Sequence, residues 1–159
     1  MKRYASALDH GHEAFAIMDE LGSRRGQAHT LDTLGNVHLQ LGEPDPATDY
    51  FRRALTAFRE TGERSGQAWS INGLGEAAQL SGDPTAALDL HLEALTIATQ
   101  DGNRHQQARC HAFMGRAHQA LGATDAARNH FEQAYLIYTE LGMPEVDEMR
   151  AHLSGLPAG

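Results

Sequence analysis

A chain of 159 residues, 41% of them apolar, is long enough for about one domain and apolar enough to bury a continuous core. Its formal charge of −8 argues against a nucleic-acid-binding surface, which needs a basic stripe. No apolar run approaches the ~20 residues that span a bilayer, and the single cysteine, Cys110, excludes an intramolecular disulfide and fits a reducing compartment.

No hydrophobic segment follows Lys2 and Arg3, so no signal peptide is visible and a cytoplasmic location is expected. Glycines then recur with a period of 40: Gly22, Gly62, Gly102 and Gly142; Gly35, Gly75, Gly115 and Gly155; Gly42, Gly82 and Gly122. Alanines keep the same period, as in Ala28, Ala68 and Ala108 or Ala47, Ala87 and Ala127. Such self-similarity is the signature of a solenoid, in which each unit buries its apolar face against its neighbours.

In chain order, the spacing predicts a leading helix over 4–21. Three repeats follow at 22–61, 62–101 and 102–141, with helices over 25–41, 45–61, 65–81, 84–101, 105–121 and 124–141. A capping helix near 144–154 and a tail close the chain, in a single domain spanning 1–159. The second repeat shows the logic. Ala68, Ile71, Leu74 and Ala78 recur at helical spacing until Gly82, which suits a left-handed C′ position. Asp83 then caps the next helix and Pro84 opens it. Ala87, Leu88, His91, Ala94, Leu95 and Ala98 mark its buried face before Gly102 ends it.

Gly35, Gly75 and Gly115 sit in mid-helix, where glycine costs about 1 kcal/mol against alanine. The expectation is that each lets its partner helix approach, with Ala47, Ala87 and Ala127 as the matching small residues. Arg24, Arg64 and Arg104 follow helix-ending glycines and are expected to offset helix dipoles. The acids Asp125, Glu132, Glu140, Glu145, Asp147 and Glu148 face only Arg128 and Arg150, and read as a solvated acidic end.

The strings Leu34-Gly35-x-x-His38, Leu74-Gly75-x-x-Ala78 and Met114-Gly115-x-x-His118 resemble the first-helix element of tetratricopeptide (TPR) repeats. Ala47-x3-Phe51-x2-Ala54, Ala87-x3-His91-x2-Ala94 and Ala127-x3-Phe131-x2-Ala134 resemble that family's second helix. The resemblance implies an all-α, right-handed TPR superhelix of antiparallel hairpins with about eight helices. The long period is similar to the 40-residue subclass in LGN-type scaffold proteins, which bind peptides in the superhelix groove. The strings at 21–28 and 138–145 are similar to the TPR tails of actinobacterial antibiotic regulatory proteins (SARP-type transcriptional regulators). That likeness implies a regulatory tail without the parent's DNA-binding and ATPase domains.

The family's first helices line a concave groove. Helical phase from the core glycine then places His29, Asp32, Asn36 and Leu39 there, followed by Trp69, Asn72, Glu76 and Gln79, then Arg109, Arg116 and Gln119. Asn36 and Asn72 fall where LGN-type groove asparagines fall. Trp69, the only tryptophan, reads either as a partner anchor or as packing between repeats. Arg109 and Arg116 either hold a carboxylate of an acidic peptide or pair with Glu76.

The leading helix lacks a preceding partner, which makes Ala7, Ala14 and Phe15 candidates for self-association as a homodimer, with the acidic C-terminal end as the other candidate surface; a cut from a longer chain would leave the same flank. His38, His91, His111 and His118 fill core-facing repeat positions and read as interior histidines, with His111 and His118 as a pH-sensitive pair. No zinc-protease pair, nucleophile elbow or phosphate loop occurs, so no catalytic residue, metal or cofactor is expected. The partner expected is a protein or peptide, including other domains of a parent chain.

Overall fold

The computed structural model describes residues 2–157. The described residues form eight helices: α1 (Lys2–Glu20), α2 (Arg24–Leu41), α3 (Pro44–Thr61), α4 (Arg64–Leu80), α5 (Pro84–Gln100), α6 (Arg104–Ala120), α7 (Thr124–Glu140) and α8 (Val146–Gly155). The last two residues of the expected tail lie outside the described ones. Each helix boundary falls close to its expected place because the glycines act as stops. Gly22, Gly42, Gly62, Gly82, Gly102, Gly122 and Gly142 all have φ between 63° and 84°, a conformation that a side chain disfavours. Ser23, Asp83 and Asn103 accept the backbone N–H three residues on, capping α2, α5 and α6. Pro144 precedes α8 rather than opening it, lying in a short turn with Glu145.

Successive helices pack as antiparallel hairpins. In addition α2 touches α4 and α4 touches α6, whereas α3, α5 and α7 make no comparable contact among the described residues. The stack therefore curves with α2, α4 and α6 on its inner side. The core is a strip that follows the hairpins. Ala28, Leu31, Ala54 and Phe58 fill one section, and Ile71, Ala94 and Cys110 another. Ala108, Phe131, Tyr138 and Met149 tie α8 to the last hairpin. Full burial of a side chain such as Phe51 or Met149 contributes about 1.5–3 kcal/mol.

The mid-helix glycines make room for rings rather than for alanines. A Cβ on Gly35 would meet the Phe51 ring at 2.9 Å, one on Gly75 the His91 ring at 2.4 Å, and one on Gly115 the Phe131 ring at 2.6 Å. Phe51 is clasped from its other side by Gly73, whose Cβ would stand 2.4 Å from it. One repeat later Phe113 replaces that glycine and stacks on the smaller His91 ring, 5.2 Å between centroids.

The period-40 arginines are structural by a different route from the one expected. Arg24 bonds Glu60, Arg64 bonds Asp101 and Arg104 bonds Glu140, each tying the start of a first helix to the end of the second. All three pairs are largely solvated, so water and salt screen them and each adds little to stability.

Candidate functional site

The inner face presents a strip of aromatic rings and guanidinium groups. Arg109 lies over Trp69, with its central carbon 4.2 Å from the ring centroid, and also faces Phe113 at 5.4 Å. Arg116, two turns further along α6, faces Phe113 at 5.2 Å. Such cation–π contacts hold each guanidinium plane while leaving edge N–H groups for a ligand. Arg109 donates to Glu76 at 3.4 Å, and Arg116 donates to Glu148 of α8.

Two hollows flank this strip. One, of about 210 Å³, is lined by His105, Arg109, Phe113, Arg116, Tyr138, Glu145, Glu148 and Met149, so α8 and the turn before it form its outer wall. The other, of about 260 Å³, is lined by Glu76, Gln79, Leu80, Phe113 and Arg116.

The electrostatics follow from partial burial. Desolvation raises the carboxyls of Asp32 and Glu76 above their ordinary range, against the opposing pull of Arg109. Asp32 also repels charge on Glu76. Burial pushes the Tyr138 hydroxyl up to about 12. Asp32 accepts from Ser70 Oγ at 2.8 Å, which bridges α2 and α4.

Of the residues expected in the groove, Trp69, Glu76, Arg109 and Arg116 come together in this strip, with Gln79 at its edge. His29 is exposed and binds Glu63 at 3.0 Å. Asn36 donates back to the Asp32 carbonyl of its own helix at 2.8 Å. Leu39 packs on the Ala47–Phe51 part of the core, and Gln119 is exposed beside a separate hollow with Glu148 and His152. Asn72 is a correction. It is 0% exposed, donating to Cys110 Sγ at 3.1 Å and bonding His91 Nδ1 through its Oδ1 at 2.8 Å. Contact between α4 and α6 turns that column of residues into the stack, as burial of Ala112 one repeat later also shows. An asparagine ladder is therefore absent from the inner face among the described residues.

The acids at the chain's end are solvated as expected at Asp125, Glu132, Glu140, Asp147 and Glu148, with Glu145 half-buried, but two of them also take part in the inner face. Glu148 is engaged by Arg116, and Glu145 has a buried oxygen, Oε2, without a hydrogen-bond partner. His105, Phe113, Tyr138, Glu145, Glu148 and Met149 were not anticipated as wall residues. The usable signal was Phe113, a large ring one period after Gly73.

Phe15 packs against Ala28, Leu31, Ala54, Ala57 and Phe58, inside the chain's own core rather than on a free flank. Ala7 and Ala14 line a shallow hollow between α1 and α2. His91 is wholly buried, while His111 meets His130 at 3.0 Å and His118 stacks on that same ring. The expected pair is thus a trio bridged from α7. Burial lowers His111 to about 4, with His130 and Arg104 adding to the effect. Among the described residues no three His, Cys, Asp or Glu side chains are arranged to hold a metal, and no helix is long and apolar enough to cross a membrane.

Solved structures share this architecture. A Rap protein complexed with competence and sporulation factor superposes with a TM-score of 0.88 at 18% identity, covering 96% of this chain and 43% of that one. The apo form of RapI gives 0.81 at 19%, with the same coverage of 96% and 43%. The TPR domain of Arabidopsis FLU gives 0.66 at 18%, covering 70% of this chain and 93% of that domain. At these identities the likeness is one of fold, and the chain spans less than half the length of the two Rap proteins. No curated protein matches the sequence. The tetratricopeptide repeat profile matches residues 1–60 and 65–140, nearly the whole of the repeating region. With its ring-on-glycine hairpins and 40-residue stacking, the chain belongs to the tetratricopeptide repeat family.

Proposed function

We propose that the chain is a non-catalytic module that binds a protein or peptide segment on its inner face. The observation that carries this reading is the Trp69–Arg109–Phe113–Arg116 strip with a hollow on each side. Rings fixed in place on rigid helices offer large contact area at little entropic cost, and guanidinium edges supply direction. One structural neighbour is named as complexed with competence and sporulation factor, which supports a small protein or peptide as the partner class.

The finer reading follows the sequence resemblances. The module acts as one solenoid over 1–159, belongs with the LGN-like 40-residue subclass, and serves in the cytoplasm as the regulatory or sensor tail of a SARP-type actinobacterial transcriptional regulator. Its partner is then a peptide, or another domain of that parent chain, with no direct contact to nucleic acid or membrane. The self-association reading draws on the first helix, where Ile17 is exposed and Ala7 and Ala14 line a shallow hollow, on Leu21 exposed in the turn that follows, or on the chain's C-terminal end.

Panning a peptide-display library on the whole chain tests the main reading. Selected peptides are expected to bind Trp69→Ala at least about tenfold more weakly while its helical circular dichroism is unchanged. Peptides that bind the variant equally well would contradict it. Light scattering over a range of concentrations tests self-association: a dimer that Ala14→Glu dissociates supports it, and a monomer throughout contradicts it.

A further inference from the structure

Arg109 and Arg116 each spend one N–H on a carboxylate of the chain itself, although a guanidinium carries five donors. The two acceptors differ in origin. Glu76 belongs to the neighbouring inner helix, whereas Glu148 reaches in from α8, the ten-residue cap. The side chains of Arg116 and Glu148 are 32% and 47% exposed, so their pairing is solvated and readily exchanged. Glu148 also has a second polar side chain within reach, since His152 Nε2 lies 3.7 Å from its Oε1 one turn further along α8. A displaced Glu148 carboxylate thus has somewhere to go.

We infer that Glu148 is a built-in competitor, holding on Arg116 the place that a carboxylate of the partner takes, so that the module selects acidic segments. The inference rests on the inner-face reading proposed above. The two hollows share Phe113 and Arg116, so a carboxylate between two apolar side chains matches their order. Leu80, 49% exposed at the edge of the second hollow, offers one of those side chains a contact. A lysine side chain entering beside Phe113 would meet Arg109 and Arg116, while Glu76 and Glu148 are already engaged by those two arginines.

Trp69 fluorescence provides the readout, since the chain has no other tryptophan. The probes are acetyl-Leu-Glu-Leu-Glu-Leu-amide and its glutamine and lysine counterparts, titrated into the whole chain and into E148Q. The glutamate peptide is expected to bind most tightly, and E148Q to tighten it about three- to fivefold while leaving the glutamine peptide unchanged. R116Q should erase the preference for glutamate over glutamine. Equal or tighter binding of the glutamine or lysine peptide, an unchanged affinity in E148Q, or no binding of the glutamate peptide to either protein overturns the inference. A display-selected peptide that needs Trp69 but ignores E148Q would overturn it while leaving the inner-face reading intact.

Discussion

His91 shows how one side chain ties packing to pH. Asn72 Nδ2 is committed to the Cys110 sulfur, so Asn72 Oδ1 accepts and His91 Nδ1 carries the proton. His91 Nε2 is then left buried and unpartnered between Gly75 and Phe113. Burial lowers its pKa from 6.5 to about 4, and the charges of Arg109 and Arg116 add to the shift. Above pH 6.5 the ring is neutral in both folded and unfolded chains. As pH falls from 6.5 to 4 the unfolded chain takes up the proton first, so stability falls with pH across that window. The full loss is on the order of 3 kcal/mol. Melting temperature should therefore drop between pH 6.5 and 4. His91→Phe should flatten part of that drop, with His111 contributing the rest, although its neutral-pH baseline is lower because Asn72 loses its donor. Equal slopes in the two proteins would contradict this account. Asp32 and Glu76 act in the opposite sense, since their raised carboxyls favour the folded state at low pH.

Within each hairpin the decisive contact is a ring on a glycine. Gly75→Ala would recover up to about 1 kcal/mol of helix propensity but drive a methyl into the His91 ring, which Phe113 holds from the other side. Overpacking costs about 1–3 kcal/mol, so a net loss is expected in urea unfolding. Gly155→Ala, with no atom within 4 Å of the new Cβ, should change stability by less than about 1 kcal/mol. Equal effects at the two sites would show that the ring contacts do not limit the hairpin. This scale also separates what was legible from what was not. Helix ends were readable because a positive φ calls for glycine wherever the chain turns. The ring partner of Gly75 was less so: Ala87 and His91 both follow the 40-residue period, and only the relative height of α4 and α5 decides between them.

Over the whole molecule, legibility declines with distance along the chain. The repeat period predicts the stack, and the inner position of α2, α4 and α6 follows from it. The direction in which a given column points depends on how one hairpin seats on the next, which is why Asn72 is fully buried while Glu76, four residues on, is only half-buried on the inner face. The role of Glu145 and Glu148 depends on where α8 docks, and Met149 and Leu156 set that by burial against α7 and its neighbours. Local composition carries no trace of such a tertiary contact, so the acidic run reads as solvated, which most of it is, without showing that Glu148 reaches Arg116. The central claim is that the inner face, not the outer one, takes the partner. Backbone chemical-shift mapping of the whole chain with a display-selected peptide tests it most directly. The account predicts that the largest changes cluster on α4 and α6 around Trp69, Arg109 and Phe113. Changes centred instead on the exposed outer residues Leu92 and Leu136 of α5 and α7 would contradict it.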